Sequence, residues 1–263
     1  MKTIRLIFFL SFLSGSYFSC INKSFLKKGM ISYQTYFTDY DIKTELPLFN
    51  TSENRIWFKD SSIIYEVKVI YIDTENDSSG VVEKVSFGTH RYTYLDLRTM
   101  RCQDYFHLKD TALPVVNYLL DNGHNYGWDF FTRKQSSDTN GIKIVLPDTI
   151  INQKTYRRIK LKNYPNSLDF EKVFYIDCSA KNSIFHINRT LDEMNPGCKV
   201  VRSIVRYGNE PFTTVFNTKL ISDTLSKEEM AVFEQWANNA TNTNLPLISF
   251  DEASKLVMKY SDF

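Results

Sequence analysis

Few side chains in this 263-residue chain stand where chemistry would need them. The histidines His90, His107, His124 and His186 are scattered over separate segments, and their spacing offers none a carboxylate partner for general-base work. His124 has the most unusual surroundings, Asn122-Gly123-His124-Asn125-Tyr126-Gly127-Trp128-Asp129. Two glycines, an indole and a carboxylate around an imidazole suit a binding loop carrying His124 and Trp128. They suit better a structured turn with Trp128 docked in the core. No serine sits in a Gly-x-Ser-x-Gly elbow or in a Ser-x-x-Lys accompanied by its partner motifs, and no glycine-rich phosphate loop is present. The acidic pairs Asp192-Glu193 and Glu228-Glu229 fall at a turn and a helix start, where charge has a structural use. Without a Cys-x-x-Cys or a His-x-x-x-His, neither a metal site nor any other cofactor is expected. The expectation is a non-catalytic protein, with an enzyme the least favoured class.

The cysteines carry a different kind of chemistry. Lys2 and Arg5 precede the apolar run Leu6–Leu13, and small residues follow, so residues 1–19 read as a signal peptide too short to span a bilayer. Cys20 follows Ser19 at the cleavage position, as the lipidated cysteine of a bacterial lipoprotein would. Tyr17 and Phe18 depart from the usual lipobox, and an ordinary secretory signal is the alternative. Acyl chains on Cys20 would anchor the chain stably, with residues 20–28 as a short basic tether. A tether without an acidic run leans towards the periplasmic face of the outer membrane. Three cysteines remain, so at least one of Cys102, Cys178 and Cys198 lacks a partner within the chain. Cys178 closes one apolar run and Cys198 opens the next, which would set them on adjacent antiparallel strands within reach of a disulfide.

Elements able to hold such groups are mostly strands. The segments 30–40, 55–59, 63–73, 81–87, 91–97, 142–146, 155–162, 170–177, 199–207 and 213–221 are short and rich in β-branched or aromatic residues. Turn signals separate them, including Asp60-Ser61-Ser62, Thr74–Gly80, Gly88-Thr89 and Pro147-Asp148. Strands in succession without intervening helices predict a mainly antiparallel sheet. Helices are expected at the end. Ser226-Lys227-Glu228-Glu229 reads as a capping box before Met230, Phe233 and Trp236-Ala237, and Ser249–Glu252 repeats it before Ala253, Leu256, Val257 and Tyr260. A short helix over Leu113–Leu120 is conceivable, starting at Pro114. The fold class is therefore mainly β (α+β), a curved antiparallel sheet or open half-barrel with C-terminal helices against it, as one domain over residues 29–263.

Composition agrees. At 43% hydrophobic with 20 Phe and 16 Tyr the chain can fill a core, which excludes disorder. Without Lys2 and Arg5 the acids and bases balance at 30 each, a poor basis for binding nucleic acid.

The segment Asp148-Thr149-Ile150-Ile151-Asn152-Gln153-Lys154-Thr155-Tyr156-Arg157-Arg158-Ile159-Lys160 resembles the D-x-x-I-x-G-x-x-C/Y-x-K strand of GLPGLI-type envelope proteins of the Bacteroidota. Gln153 replaces the usual glycine, and the Gly-Leu-Pro-Gly-Leu-Ile signature is absent. The resemblance implies an open half-barrel like that of lipoprotein carriers. It brings no catalytic residues.

Two surface features remain. Arg157, Arg158, Lys160 and Lys162 on one strand would either meet an anionic lipid head group or guard a sheet edge with charge, and the second is favoured. Trp57, Tyr65, Tyr71, Tyr92, Tyr94 and Tyr105, with Phe58 and Phe87, would either line an apolar ligand face or fill the core under the terminal helices. The function expected is a membrane-anchored envelope lipoprotein holding a lipid or lipoprotein in a concave sheet face. Its rival is an interaction protein with a filled core that docks an envelope partner.

Overall fold

The computed structural model describes residues 26–39, 53–77, 80–120, 142–162, 170–180, 184–208 and 212–260. The leader, Cys20, and the loop with His124 and Trp128 lie outside them. The elements run β1 (Lys28–Asp39), β2 (Glu53–Lys59), β3 (Ser62–Asp77), β4 (Gly80–Asp96), β5 (Arg101–Tyr105), β6 (Val116–Leu119), β7 (Ile142–Ile151), β8 (Lys154–Lys162) and β9 (Phe170–Asp177). Then follow α1 (Arg189–Met194), β10 (Lys199–Tyr207), β11 (Phe212–Ser222), α2 (Lys227–Asn242), β12 (Leu247–Ile248) and α3 (Phe250–Tyr260). All strands join one open, curved sheet in the order β12-β6-β5-β4-β3-β2-β1-β11-β10-β9-β8-β7. Every pairing is antiparallel except β12 with β6.

Side-chain alternation divides the sheet into two apolar faces. The first carries Ile31, Ile56, Phe58, Ile63, Leu95, Cys102, Val116 and Tyr118, and continues through Ile159, Leu161, Phe174, Ile176 and Val200. At one end α3 covers it with Phe250, Ala253 and Val257; towards the other, Ile184, Phe185, Ile187 and Leu191 do so. The second face carries Trp57, Ile64, Tyr94 and Tyr105, and α2 lies on it with Val232, Phe233, Trp236 and Ala240. The β2–β6 half is thus a three-layer core, which is why β5 buries Cys102, Gln103, Asp104 and Tyr105 in succession.

The capping box of α2 forms as expected: Glu229 N–H donates to Ser226 Oγ at 3.1 Å, and Ser226 N–H donates to Glu229 Oε2 at 2.7 Å. Ser249 and Glu252 repeat it at α3. The buried stripe of α2 differs from the expected one, because Ala237 faces solvent and Val232 and Ala240 take its place.

Four turn or helix expectations are corrected. Leu113–Leu120 holds a strand, since Val116, Tyr118 and Leu120 pack on the first face while Asn117 reaches Leu245 O on the other side. Gly88-Thr89 does not end a strand. Pairing runs from Val67–Arg91 to Lys68–Thr89, so β4 continues past a bulge at His90. Likewise Pro147-Asp148 is an irregularity within β7, between Leu146 and Thr149, and Thr74–Asp77 remains paired in β3.

The β7–β8 hairpin turns at Asn152 and Gln153, with φ of 49° and 64°. Such a two-residue turn favours glycine at its second position, because a Cβ there is strained. Gln153→Gly is expected to stabilise the protein by about 0.5–1 kcal/mol, read as a higher urea midpoint at unchanged slope. An unchanged or lower midpoint would show that Gln153 is under no strain there.

Candidate functional site

The six aromatic residues that could have lined one ligand face do not share a face. Pairing sets Ile56 against Tyr65 and Trp57 against Ile64, so Trp57 and Tyr65 point to opposite sides of the sheet. Trp57, Tyr92, Tyr94 and Tyr105 belong to the face under α2. There Tyr105 stacks on Trp236 with ring centroids 3.7 Å apart, and Trp57 Nε1 donates to Glu229 Oε1 at 2.7 Å. Tyr65 packs, half-buried, on the first face, and the side chain of Tyr71 lies outside those described. Tyr105 and Trp57 fill core beneath α2, while Tyr94 also borders a hollow of about 370 Å³ beside α2 with Arg101 and Leu119.

A further open space lies in the other half of the sheet. A cleft of about 600 Å³ is bounded by β1, β8, β9, β10, β11 and the segment after Asp177. Ile31, Phe185, Val201 and Leu220 give it an apolar wall, and Lys154, Asp177, Ser179 and Lys199 give it a polar end. Phe185 is held against Tyr33, with ring centroids 5.5 Å apart. Cys178 and Cys198 are joined by a disulfide, 20 residues apart, closing the segment that supplies Phe185. Cys102 is the free thiol among the described residues, and it is buried. Burial pushes its pKa well up, which makes it a packing residue without reactivity.

Two ionic groups frame the polar end. Lys154 Nζ lies 2.5 Å from Asp177 Oδ2, while Asp177 Oδ1 accepts from Ser179 N–H at 2.8 Å and from Ser179 Oγ at 2.7 Å. Burial by itself would raise the Asp177 pKa, but Lys154 and Ser179 together hold it below the usual carboxylate range. Behind the cleft, Asp192 on α1 gathers three partners. His186 Nδ1 stands 2.7 Å and Lys199 Nζ 3.1 Å from Oδ2, and Val200 N–H donates to Oδ1 at 2.6 Å. His186 thus has the carboxylate partner that sequence spacing did not offer. The cluster is largely shielded from solvent, and its carboxylate is engaged by backbone as well as side chains, so it works as a brace tying α1 to β10.

Burial lowers the pKa of His186, and the nearby Lys199 adds to this, while Asp192 opposes it. A base whose folded pKa lies below its unfolded value costs stability once the unfolded chain takes up the proton first. The contribution is whole above pH 6.5 and is lost as pH falls from there towards the folded pKa. The melting temperature is therefore expected to drop between pH 7.5 and 5.5, and the drop should shrink in His186→Gln. Parallel curves for the two proteins would remove His186 from the explanation.

The basic strand residues divide by alternation. Arg158 and Lys160 line a smaller hollow with Val173, Tyr175, Ile204 and Arg206 on the second face. There Lys160 Nζ lies 2.6 Å from Glu171. Among the described residues no group of three His, Cys, Asp or Glu side chains could hold a metal ion, and no helix is long and apolar enough to cross a membrane.

The fold and cleft together define an open half-barrel with a partly covered sheet face. No family model and no curated protein matches the chain. Solved structures similar to it include LprF from Mycobacterium bovis (11% identity, 76% of this chain and 89% of that one, TM-score 0.34). A LolA superfamily protein from Nitrosomonas europaea is similar over 74% of this chain and 84% of its own, at 7% identity and TM-score 0.22. An outer membrane lipoprotein-sorting protein domain from Vibrio parahaemolyticus covers 81% and is itself covered to 92%, at 11% identity and TM-score 0.24.

The cleft residues Lys154, Phe185, Lys199 and Leu220 escaped the sequence reading, since they come from segments far apart in the chain. The bracketing pair Cys178 and Cys198 was the signal nearest to them.

Proposed function

We propose that the protein is a non-catalytic lipoprotein of the bacterial envelope, held at the outer membrane through Cys20, that binds a hydrophobic ligand in the cleft. The observation that carries this reading is the cleft's aliphatic and aromatic wall, Ile31, Phe185, Val201 and Leu220, around about 600 Å³ of space. That volume lies within the roughly 300–1,000 Å³ of small-molecule sites. Filling it with an acyl chain removes apolar surface from water on both partners. Native mass spectrometry of protein purified from envelope extract tests the reading. Extra mass that leaves on denaturation and is identified as lipid supports it. A bare chain after gentle extraction counts against a held ligand.

A second reading, docking of an envelope partner, is favoured by β7. This edge strand exposes Ile142, Ile144, Val145 and Ile150, and an apolar edge offers both unpaired backbone groups and side chains to another strand.

A further inference from the structure

We propose that β7 is a self-pairing edge, along which two copies of this chain join antiparallel to make one continuous sheet; this rests on the docking reading of β7 above. Among the described residues β7 has a neighbour, β8, on one side only. Its exposed apolar side chains stand on both faces of the sheet. Val145 lies opposite Ile159 and Ile150 opposite Thr155 on the first face, while Ile142 and Ile144 lie opposite Lys162 and Lys160 on the second. A membrane surface or a helix laid on the sheet covers one face and leaves the other wet. A strand added edge to edge covers both, because its own side chains alternate in step. Pro147 does not spoil the edge. Its carbonyl oxygen accepts from Arg158 Nε at 2.8 Å, so its backbone is turned towards β8.

The partner strand that fits is β7 itself. In a two-fold pairing centred on Val145, each Val145 meets its twin on the first face. Ile144 then meets Leu146 twice on the second face, and Ile142 meets Thr149 beyond the irregularity at Pro147-Asp148. Lys143 falls opposite that irregularity, beside Asp148 of the other copy, and the symmetry forms this ion pair twice. Both residues are exposed, and neither has an ion-pair partner among the described residues. Centring one residue earlier, on Ile144, sets Lys143 against Val145 and loses the charge pair. The opposite edge of the sheet cannot replace the second β7, because β12 has two residues, Leu247 and Ile248. Association therefore closes at a dimer rather than running on as a fibre.

Sedimentation equilibrium of the full chain, in density-matched non-ionic detergent, tests this. A monomer–dimer equilibrium is expected. Val145→Lys sets like charges face to face at the two-fold axis and should weaken the dimer tenfold or more. Val145 is 74% exposed, so the circular dichroism spectrum should not change. Lys143→Glu and Asp148→Lys should each weaken the dimer threefold or more, and the double variant should restore it. Ile150→Lys, as exposed as Val145 but outside the paired stretch, should leave the dimer intact. A chain that is monomeric at every concentration overturns the proposal. So does a dimer that Val145→Lys leaves untouched, one that Ile150→Lys weakens as much, or a double variant no better than either single one. If the chain is monomeric, yet envelope extract slows hydrogen exchange along β7 and Val145→Lys abolishes that protection, self-pairing fails while docking of another partner stands.

Discussion

Replacing Trp236 with alanine should lower the unfolding free energy by about 3–5 kcal/mol, the cost of emptying a large aromatic site in a core. Trp236 is completely buried at the centre of α2, stacked on Tyr105 with an interplanar angle of 2°. Its indole Nε1 donates to Lys109 O at 3.0 Å, a bond that ties α2 to the chain between β5 and β6. Truncation removes the stack, leaves a cavity between α2 and the sheet, and frees a carbonyl. Trp236→Phe keeps an aromatic ring against Tyr105 and should cost clearly less. Urea unfolding followed by circular dichroism distinguishes these cases. A loss below about 1.5 kcal/mol in the alanine variant would mean that the site collapses around the gap or that α2 is held elsewhere.

The second large effect belongs to the disulfide. Replacing Cys178 and Cys198 together with serine should cost about 3 kcal/mol, since the link closes a loop of 20 residues and restricts the unfolded chain. For a chain of this size that corresponds to a fall of roughly 6–12 °C in melting temperature. The loop holds Ile184, Phe185, Ile187 and Leu191 on the first face, so its loosening should also shorten the retention of any lipid in the cleft. Differential scanning calorimetry of the double variant, and of the native protein under reducing agent, should agree. A melting temperature unchanged in both would show that packing of the loop residues is sufficient without the link.

Strands were legible where local chemistry decides them. Phe170–Asp177 and Lys199–Tyr207 run between the limits their composition marks, and the Ser226 and Ser249 caps announce α2 and α3. Bulges were not legible. Glycine at position 88 and proline at 147 carry the same signal whether a strand ends or merely shifts register. The aromatic residues failed as a site for another reason. Alternation along β2 and β3 is visible in the sequence, but which phase meets a helix depends on register and on layers built from distant segments. The tight turn at Asp60 pairs Ile56 with Tyr65 and so sets Trp57 and Tyr65 on opposite faces, but which face meets α2 is decided by segments far along the chain. The lysines of the cleft were hidden by type, because Lys154 and Lys199 at strand ends read as solvated charge until the fold sets them beside Asp177 and Asp192.

The position of β1 in the middle of the sheet governs the order in which the protein can be completed. Residues 28–34 pair on one side with β2, close in sequence, and residues 30–39 pair on the other with residues 212–222 of β11. That single seam joins the β2–β6 half to the β7–β11 half. While the chain emerges amino end first, β1 has one neighbour and presents an unpaired edge to whatever is nearby. Both α2 and α3, which cover the early half, are made only after β11. The first-made half of the sheet thus stays naked on both sides until nearly the whole polypeptide is available, and contacts so distant along the chain close slowly. Such a molecule depends on protection while it is being made, and truncation anywhere before residue 222 leaves a sticky, half-clad sheet rather than a smaller stable domain.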